Sequence, residues 1–462
     1  MTFYTTHRRP ALRRHGWPGS ALTGGQFRPP APHEFDGTGR RLWGSILLLL
    51  IMGSPQSAAS TEPLTVPEQA SGSVALAGPV AVLLAQNRKV RAAEQVYLAA
   101  VEQIRVAGTL PDPLVESTLF QRPIETKIGP TEAQVMVGQK FPLWGKLRRT
   151  RRVAREEAEI AALNVQQAKI TVVFQMRTAW ENYLKINTSL DILDGYREEL
   201  AAFRSIALTQ YATGSGITQH PILKLQIEIS LIEIQINTFQ SSLESVVNQL
   251  QALFDGSFSP ELFGGKRTSL LPPTATEFWL DTARKAHPRY EQAQRELQIA
   301  ILQNEIAARM NYPDLVAGLN YTSIGEGGDD AWGVKVGVNL PIWLGRNRAR
   351  TRSSLLRIRS REELVEEVWN QIEDDVRSTG KQLAEIEENY ILYAERLIQE
   401  SAQMLASAFS AYETGRISFL DLLDSERMVV RVRLEFEAVE ARRRIASAKL
   451  LKDMGLIQFD EE

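Results

Sequence analysis

The sequence repeats its own landmarks at a spacing of 199 to 201 residues, and this duplication restricts the possible folds more than any other feature. A proline, a glycine shortly after it, and a Tyr-x-Thr-Gly segment occur twice in the same order. Three matches in the same order at a nearly constant spacing indicate two copies of one supersecondary unit. The pairs are Pro142 and Pro341, Gly145 and Gly345, and residues 211–214 and 412–415.

Each copy contains two short segments in which apolar and polar residues alternate, which is typical of a β-strand with one apolar face. In the last of the four, three valines around Val336 share one face and Lys335 lies on the other. The second is less regular, because Met136 falls on its polar face and Gln139 on its apolar face. The predicted strands are 114–123, 132–141, 315–324 and 331–340.

Long segments rich in Ala, Glu, Gln, Leu and Ile follow each predicted hairpin. Residues 148–211 contain no proline and one glycine, which predicts a single helix about 90 Å long. Residues 348–412 form the equivalent helix in the second copy. Further helices are predicted over 81–107, from the first turn to about 254, over 276–310, and from the second turn to about 454.

The N-terminal segment has the pattern of a secretory signal peptide. Arg40 and Arg41 precede an apolar run, 42–52, and small residues follow at 57–59. A run of about eleven residues is too short for a membrane anchor, which needs about 20, although a core helix is an alternative. The predicted organisation is leader and signal peptide 1–59, linker 60–80, first repeat 81–254, connecting loop 255–273 and second repeat 274–456.

Composition and motifs exclude several functions. The chain has no cysteine, which rules out disulfides, iron–sulfur clusters, a thiol nucleophile and a cysteine-linked lipid anchor. The 53 basic and 55 acidic residues nearly cancel, so no net field attracts nucleic acid. After the leader only His220 and His287 remain, and no HExxH, P-loop or Gly-x-Ser-x-Gly motif occurs. We expect no enzyme activity, no cofactor and no bound metal.

The predicted strands favour a membrane protein. Two isolated hairpins are too few for a stable soluble sheet, whereas strands of about ten residues with one apolar face suit the wall of an outer-membrane β-barrel. No segment after the leader approaches a membrane-spanning helix in length and hydropathy. Four strands per chain are fewer than the smallest barrels contain, so several copies would have to combine.

At this point the sequence resembles a known family. The duplicated hairpin-plus-helix plan, the Pro-x-aromatic segments after each hairpin and the Tyr-x-x-Gly turns are similar to the outer-membrane efflux proteins, the TolC-like family, over residues 81–454. The resemblance implies an α+β membrane protein, a homotrimer whose twelve-stranded β-barrel takes four strands from each chain. A long α-helical periplasmic barrel would continue it.

The resemblance also implies partners. The channel would be the passive exit duct of a tripartite efflux or type I secretion system in the bacterial outer membrane. It would dock a periplasmic adaptor and receive substrates from an inner-membrane transporter. The competing interpretation is a secreted or periplasmic coiled-coil structural or adaptor protein.

The second turn carries candidate functional residues. The resemblance assigns Tyr412, Asp421 and Asp424 to a periplasmic gate, where threefold symmetry would turn each carboxylate into a ring. It assigns the residues of the turn itself to an adaptor-contact tip. Helix capping explains the same residues without a transport role, through a glycine reversal, a serine N-cap and an acid in the first helical turn. The predicted tip residues are Gly415, Arg416, Ile417 and Ser418.

The first turn departs from the family pattern. An acid is expected shortly after it, but the sequence has His220 followed by Pro221. His220 would be a titratable partner for Asp421 or Glu413, and a lone surface histidine is the alternative. The predicted tip residues here are Thr213, Gly214, Ser215 and Gly216.

Arginines and a tryptophan follow each hairpin at equivalent positions. Their place just beyond the strands suggests the level of lipid phosphates and headgroups, where cations and indole rings are favoured. The alternatives are a solvated face paired with nearby glutamates, and core packing of the indoles. The predicted membrane-interface residues are Trp144, Trp343, Arg148, Arg149 and Arg348.

Overall fold

The computed structural model describes a chain that is largely helical, with one β-sheet. The predicted leader and all but the last residues of the predicted linker lie outside the described part. The described residues are 77–127, 129–213, 218–268, 270–271, 275–325 and 328–458.

The described residues run twice through the order helix, hairpin, long helix, turn and helix. The helices are α1 (Ala77–Gln86), α2 (Arg88–Ala107), α3 (Lys146–Ala212), α4 (Gln219–Leu253), α5 (Thr276–Ala286), α6 (Pro288–Arg309), α7 (Leu344–Leu392), α8 (Ile398–Glu413) and α9 (Phe419–Asp453). The strands are β1 (Leu114–Thr126), β2 (Gly129–Phe141), β3 (Asp314–Ile324) and β4 (Ala331–Asn339). A π-helical turn, Tyr393–Leu397, joins α7 to α8, and a short 3₁₀-helix spans Pro260–Phe263.

Two helices predicted as continuous are broken. Asn87 separates α1 from α2, because its side-chain oxygen accepts from the backbone N–H of Lys89 at 2.9 Å and caps the second helix. His287 separates α5 from α6, because Pro288 disfavours a helical conformation at the residue before it. The imidazole Nδ1 of His287 accepts from the Arg289 N–H at 3.1 Å, and burial lowers the pKa of His287 to about 4.

The four strands form one antiparallel sheet in the order β1-β2-β3-β4. Both predicted hairpins are present, and β2 and β3 join them, with Val137 opposite Leu319 and Phe141 opposite Leu315. The two outer strands, β1 and β4, each have one neighbour within this sheet. Their outer edges are therefore available for pairing with another strand.

The sheet has one apolar and one polar face, as the alternation predicts. The registers place Val334 beside Leu319, and Val338 beside Leu315, on the same face. Gln139 falls on this face, but its amide nitrogen donates to the Pro111 carbonyl at 2.7 Å, so the polar group is satisfied. Exposed apolar residues of this face are Val115, Leu119, Val135, Leu319, Tyr321, Trp332, Val334, Val336 and Val338.

The loop between the two repeats is fixed to helices of both. Glu181 of α3 is fully buried and accepts from the Thr268 N–H at 2.6 Å, and burial raises the pKa of Glu181. Arg267 pairs with Glu437 of α9 at 2.6 Å. No helix in the described part combines the length and the hydropathy needed to cross a bilayer.

Candidate gate and membrane-facing surface

The second turn is a sharp reversal between α8 and α9. Gly415 has φ +68°, the left-handed conformation that favours glycine, and its N–H donates to the Tyr412 carbonyl at 2.9 Å. Ser418 is the N-cap of α9 and forms a capping box with Asp421. The helix-capping roles expected from the sequence are therefore present. The predicted tip residues Arg416 and Ile417 lie between Gly415 and Ser418.

The capping box favours the charged form of Asp421. The Ser418 hydroxyl donates to the Asp421 carboxylate at 2.7 Å, the Ser418 N–H donates at 3.0 Å, and these bonds lower the pKa of Asp421. Asp424 lies three residues later, on the same side of the helix. The two carboxylates thus form one exposed acidic strip at the start of α9.

An ion-pair network joins α4 to α9 beside this strip. Arg427 binds Glu228 through two guanidinium nitrogens, with Nε 2.9 Å from Oε1, and Glu228 is only 7% exposed. Arg427 also lies 3.4 Å from Asp424, and Lys224 lies 3.7 Å from the same carboxylate. The bond to Glu228 raises the pKa of Arg427. We call Lys224, Glu228, Asp424 and Arg427 the α4–α9 network.

The network is absent from the sequence prediction, because its members lie on two helices that are far apart in sequence. Arg427 lies 199 residues after Glu228, and Asp424 lies 200 residues after Lys224. No local pattern in either helix specifies a contact over such a distance. Tyr412 packs nearby, with its ring edge-on to Phe419 at 5.9 Å, and Phe419 in turn meets Phe203 of α3.

The first turn is described only at its two ends. The Thr213 hydroxyl donates to the Thr209 carbonyl at 3.1 Å, and Thr218 begins α4. His220 is exposed there, and the described residues contain no ion pair between it and Asp421 or Glu413. The predicted tip residues Gly214, Ser215 and Gly216 lie outside the described residues.

The predicted interface residues differ in their surroundings. The indole N–H of Trp144 donates to the Pro313 carbonyl at 2.9 Å, and its ring lies 5.2 Å from that of Tyr312. Trp343 is 65% exposed and precedes the first residue of α7. Arg149 pairs with Glu305 of α6 at 2.7 Å, so its charge is partnered within the protein. Arg148 and Arg348 are exposed.

Comparison with known proteins shows a similarity to one family. Residues 279–456, which run from α5 to the end of α9, match the sequence profile described as outer membrane efflux protein. The second repeat of the chain is therefore similar to this family. A curated relative, the cobalt-zinc-cadmium resistance protein CzcC of Cupriavidus metallidurans, is 22% identical over 413 residues, which cover 87% of this chain and 96% of the relative.

Solved structures of outer-membrane channels share the fold of this chain. A crystal structure of CusC matches with a TM-score of 0.70 at 16% identity and covers 84% of this chain and 96% of CusC. The open state of the Neisseria gonorrhoeae MtrE outer membrane channel matches with a TM-score of 0.68 at 17% identity. That match covers 82% of this chain and 88% of MtrE.

A buried carboxyl near the α4–α9 network makes the stability of this protein depend on pH. Glu426 is 6% exposed, and burial together with the nearby charge of Glu199 raises its pKa to about 7. A carboxyl with a raised folded-state pKa stabilises the fold below its ordinary value of 4.5, and this contribution is lost as the pH rises toward 7.

We expect Glu426→Gln to be more stable than the wild type at pH 8, by about 1 kcal/mol or a few degrees of melting temperature. At pH 4.5 the difference should vanish, because both side chains are then neutral. Thermal unfolding of the detergent-solubilised protein at the two pH values measures this. Glu198→Gln, at an exposed position of α3, is the control. An equal offset at both pH values would contradict the assignment.

Proposed function

We propose that this protein is the outer-membrane exit duct of a tripartite efflux pump. Three copies would combine their four-stranded sheets into a closed twelve-stranded barrel in the lipid, and their helices would form a conduit in the periplasm. An inner-membrane transporter and a periplasmic adaptor would deliver the cargo. The duct itself would be passive.

The observation that carries this proposal is a single sheet with a continuous apolar face, whose two outer strands, β1 and β4, have no partner at their outer edges within the described residues. An apolar face on four exposed strands is costly in water but stable against hydrocarbon chains. Strand edges cannot remain unpaired in lipid, so the sheet has to close. One chain cannot close four strands, because the smallest membrane barrels have eight.

The periplasmic end supports the gate and docking proposals. In a trimer, Asp421 and Asp424 would each recur three times around one axis, and rings of carboxylates attract cations. We propose that Tyr412 and His220 flank this entrance. The two turns would form the adaptor-contact tips, at residues 213–216 and 415–418.

A membrane level follows from the same arrangement. We propose that Trp144, Trp343, Arg148 and Arg348 lie at the inner leaflet, with Arg149 supporting them from its pair with Glu305. The relative CzcC is named for cobalt, zinc and cadmium resistance. We therefore propose divalent metal cations as the first cargo class to test.

Cell fractionation and gel electrophoresis test the proposal. The full chain, expressed with its leader in a Gram-negative host, should enter the outer membrane and migrate as a trimer that heat converts to monomers. Reconstitution into planar bilayers should give discrete conductance steps. Recovery as a soluble or inner-membrane protein would favour the coiled-coil adaptor interpretation instead.

A further inference from the structure

The junction between β2 and β3 is held by an ion pair where the strands meet the helices. Lys146, the first residue of α3, donates to Asp314 at 2.6 Å and to the Tyr312 carbonyl at 3.0 Å. Lys140 lies 3.4 Å from the second oxygen of the same carboxylate. The side chains of Lys146 and Asp314 are 12% and 10% exposed, so this pair is largely shielded from water.

Equivalent residues of the two hairpins are separated by fixed numbers of residues in the sequence. These offsets identify the counterparts of Lys146 and Asp314. Leu114 lies opposite Gly138 in the first hairpin, and Val316 lies opposite Gly337 in the second. The first strands are thus offset by 202 residues and the second strands by 199. An offset of 202 relates Asp314 to Asp112, and each of the two follows a proline.

The counterpart of Lys146 is Arg346. An offset of 199 relates Trp144 to Trp343, and the second copy then has one additional residue, Leu344, before its glycine. Arg346 therefore follows Gly345 as Lys146 follows Gly145. Both Asp112 and Arg346 are exposed, and they lie next to β1 and β4, at opposite edges of the sheet.

We infer that Asp112 of one copy pairs with Arg346 of the next copy, and that β1 and β4 join in the register of β2 and β3. The inference rests on the proposed homotrimer and specifies its contacts. Gln139 of β2 lies opposite Ala317 of β3. The offset of 199 relates Gln139 to Val338, and the offset of 202 relates Ala317 to Val115. Val338 should therefore lie opposite Val115 of the next copy. The same offsets, applied to Val135 and Tyr321, place Val334 opposite Leu119.

The faces of the strands give an independent check of this register. Val334 and Val338 belong to the apolar face of β4, and Leu119 and Val115 belong to the apolar face of β1. A slip of one residue would place each of them opposite a residue of the polar face. The charges agree with this register as well. Asp112 would meet Arg346 between two copies, as Asp314 meets Lys146 within one chain. A second copy of this chain is therefore the partner that fits both outer strands.

Site-specific cross-linking tests the register, and the absence of cysteine makes the background clean. The double variant Val115→Cys, Val338→Cys should form covalent dimers and trimers with a short bifunctional thiol reagent in isolated outer membranes. The matched control, Leu119→Cys with Val338→Cys, is four residues out of register, about 13 Å, and should not cross-link. Efficient cross-linking of the control alone would overturn the register.

Charge reversal tests the ion pair. Asp112→Arg and Arg346→Asp should each lower the temperature at which trimers dissociate by several degrees, and the double reversal should restore it. Arg357→Asp, at an exposed position further along α7, should leave that temperature unchanged. Unaltered single reversals in a protein that still forms trimers would overturn this pair alone. A wild-type chain that forms no trimer would overturn the proposed function itself.

Discussion

Replacement of Val336 by arginine is expected to remove the protein from the outer membrane. Val336 lies near the middle of β4, on the apolar face, and is 68% exposed. An arginine facing lipid near the bilayer midplane costs about 2–4 kcal/mol per copy. A trimer contains three such arginines, so the total free-energy cost is comparable to the free energy of unfolding of many proteins. Immunoblots of outer-membrane fractions should show a severe loss of the variant.

The neighbouring residue provides a matched control. Gly337 is on the opposite face of the same strand, and no atom lies within 4 Å of the position that a Cβ would take there. Gly337→Arg should therefore assemble normally, with its side chain toward the barrel lumen. If both variants assemble, the apolar face does not face lipid. If both are lost, β4 does not tolerate a long side chain on either face, and the lipid argument is unsupported.

The sheet was largely predictable because its information is local. Alternation of residue type and the proline–glycine ends located all four strands to within a few residues. Helix breaks were less visible, since Asn87 and His287 lie within apolar-periodic segments and act through single capping bonds. The pairing of β2 with β3 depends on residues far apart in sequence, and no local pattern specifies it.

The candidate gate was predictable in part. Gly415, Ser418 and Asp421 follow rules for helix ends that operate within a few residues, and all three occupy the expected places. Glu228 and Arg427 form their bond across two helices, 199 residues apart. No pattern of residues within either helix specifies such a bond.

Removal of Arg427 is expected to open the channel. Arg427→Ala would leave the carboxylate of Glu228 buried without its cationic partner and would detach Asp424 from the same guanidinium. Breaking a bidentate, partly exposed pair of this kind costs about 2–3 kcal/mol. If the α4–α9 network holds the periplasmic end closed, the ratio of open to closed channels should rise more than about tenfold. Single-channel recording in planar bilayers measures that ratio.

Two variants separate a gating role from a general loss of stability. Arg431→Ala, at an exposed position one turn further along α9, should leave the open fraction unchanged. Exchanging the charges, with Glu228→Arg and Arg427→Glu together, should restore the closed state, because the attraction between α4 and α9 is regained. A lower melting temperature with an unchanged open fraction in Arg427→Ala would show that the network stabilises the helices without controlling the entrance. A gating role requires that the open fraction rises when the ion pair is broken and falls when it is restored, irrespective of which helix carries the positive charge.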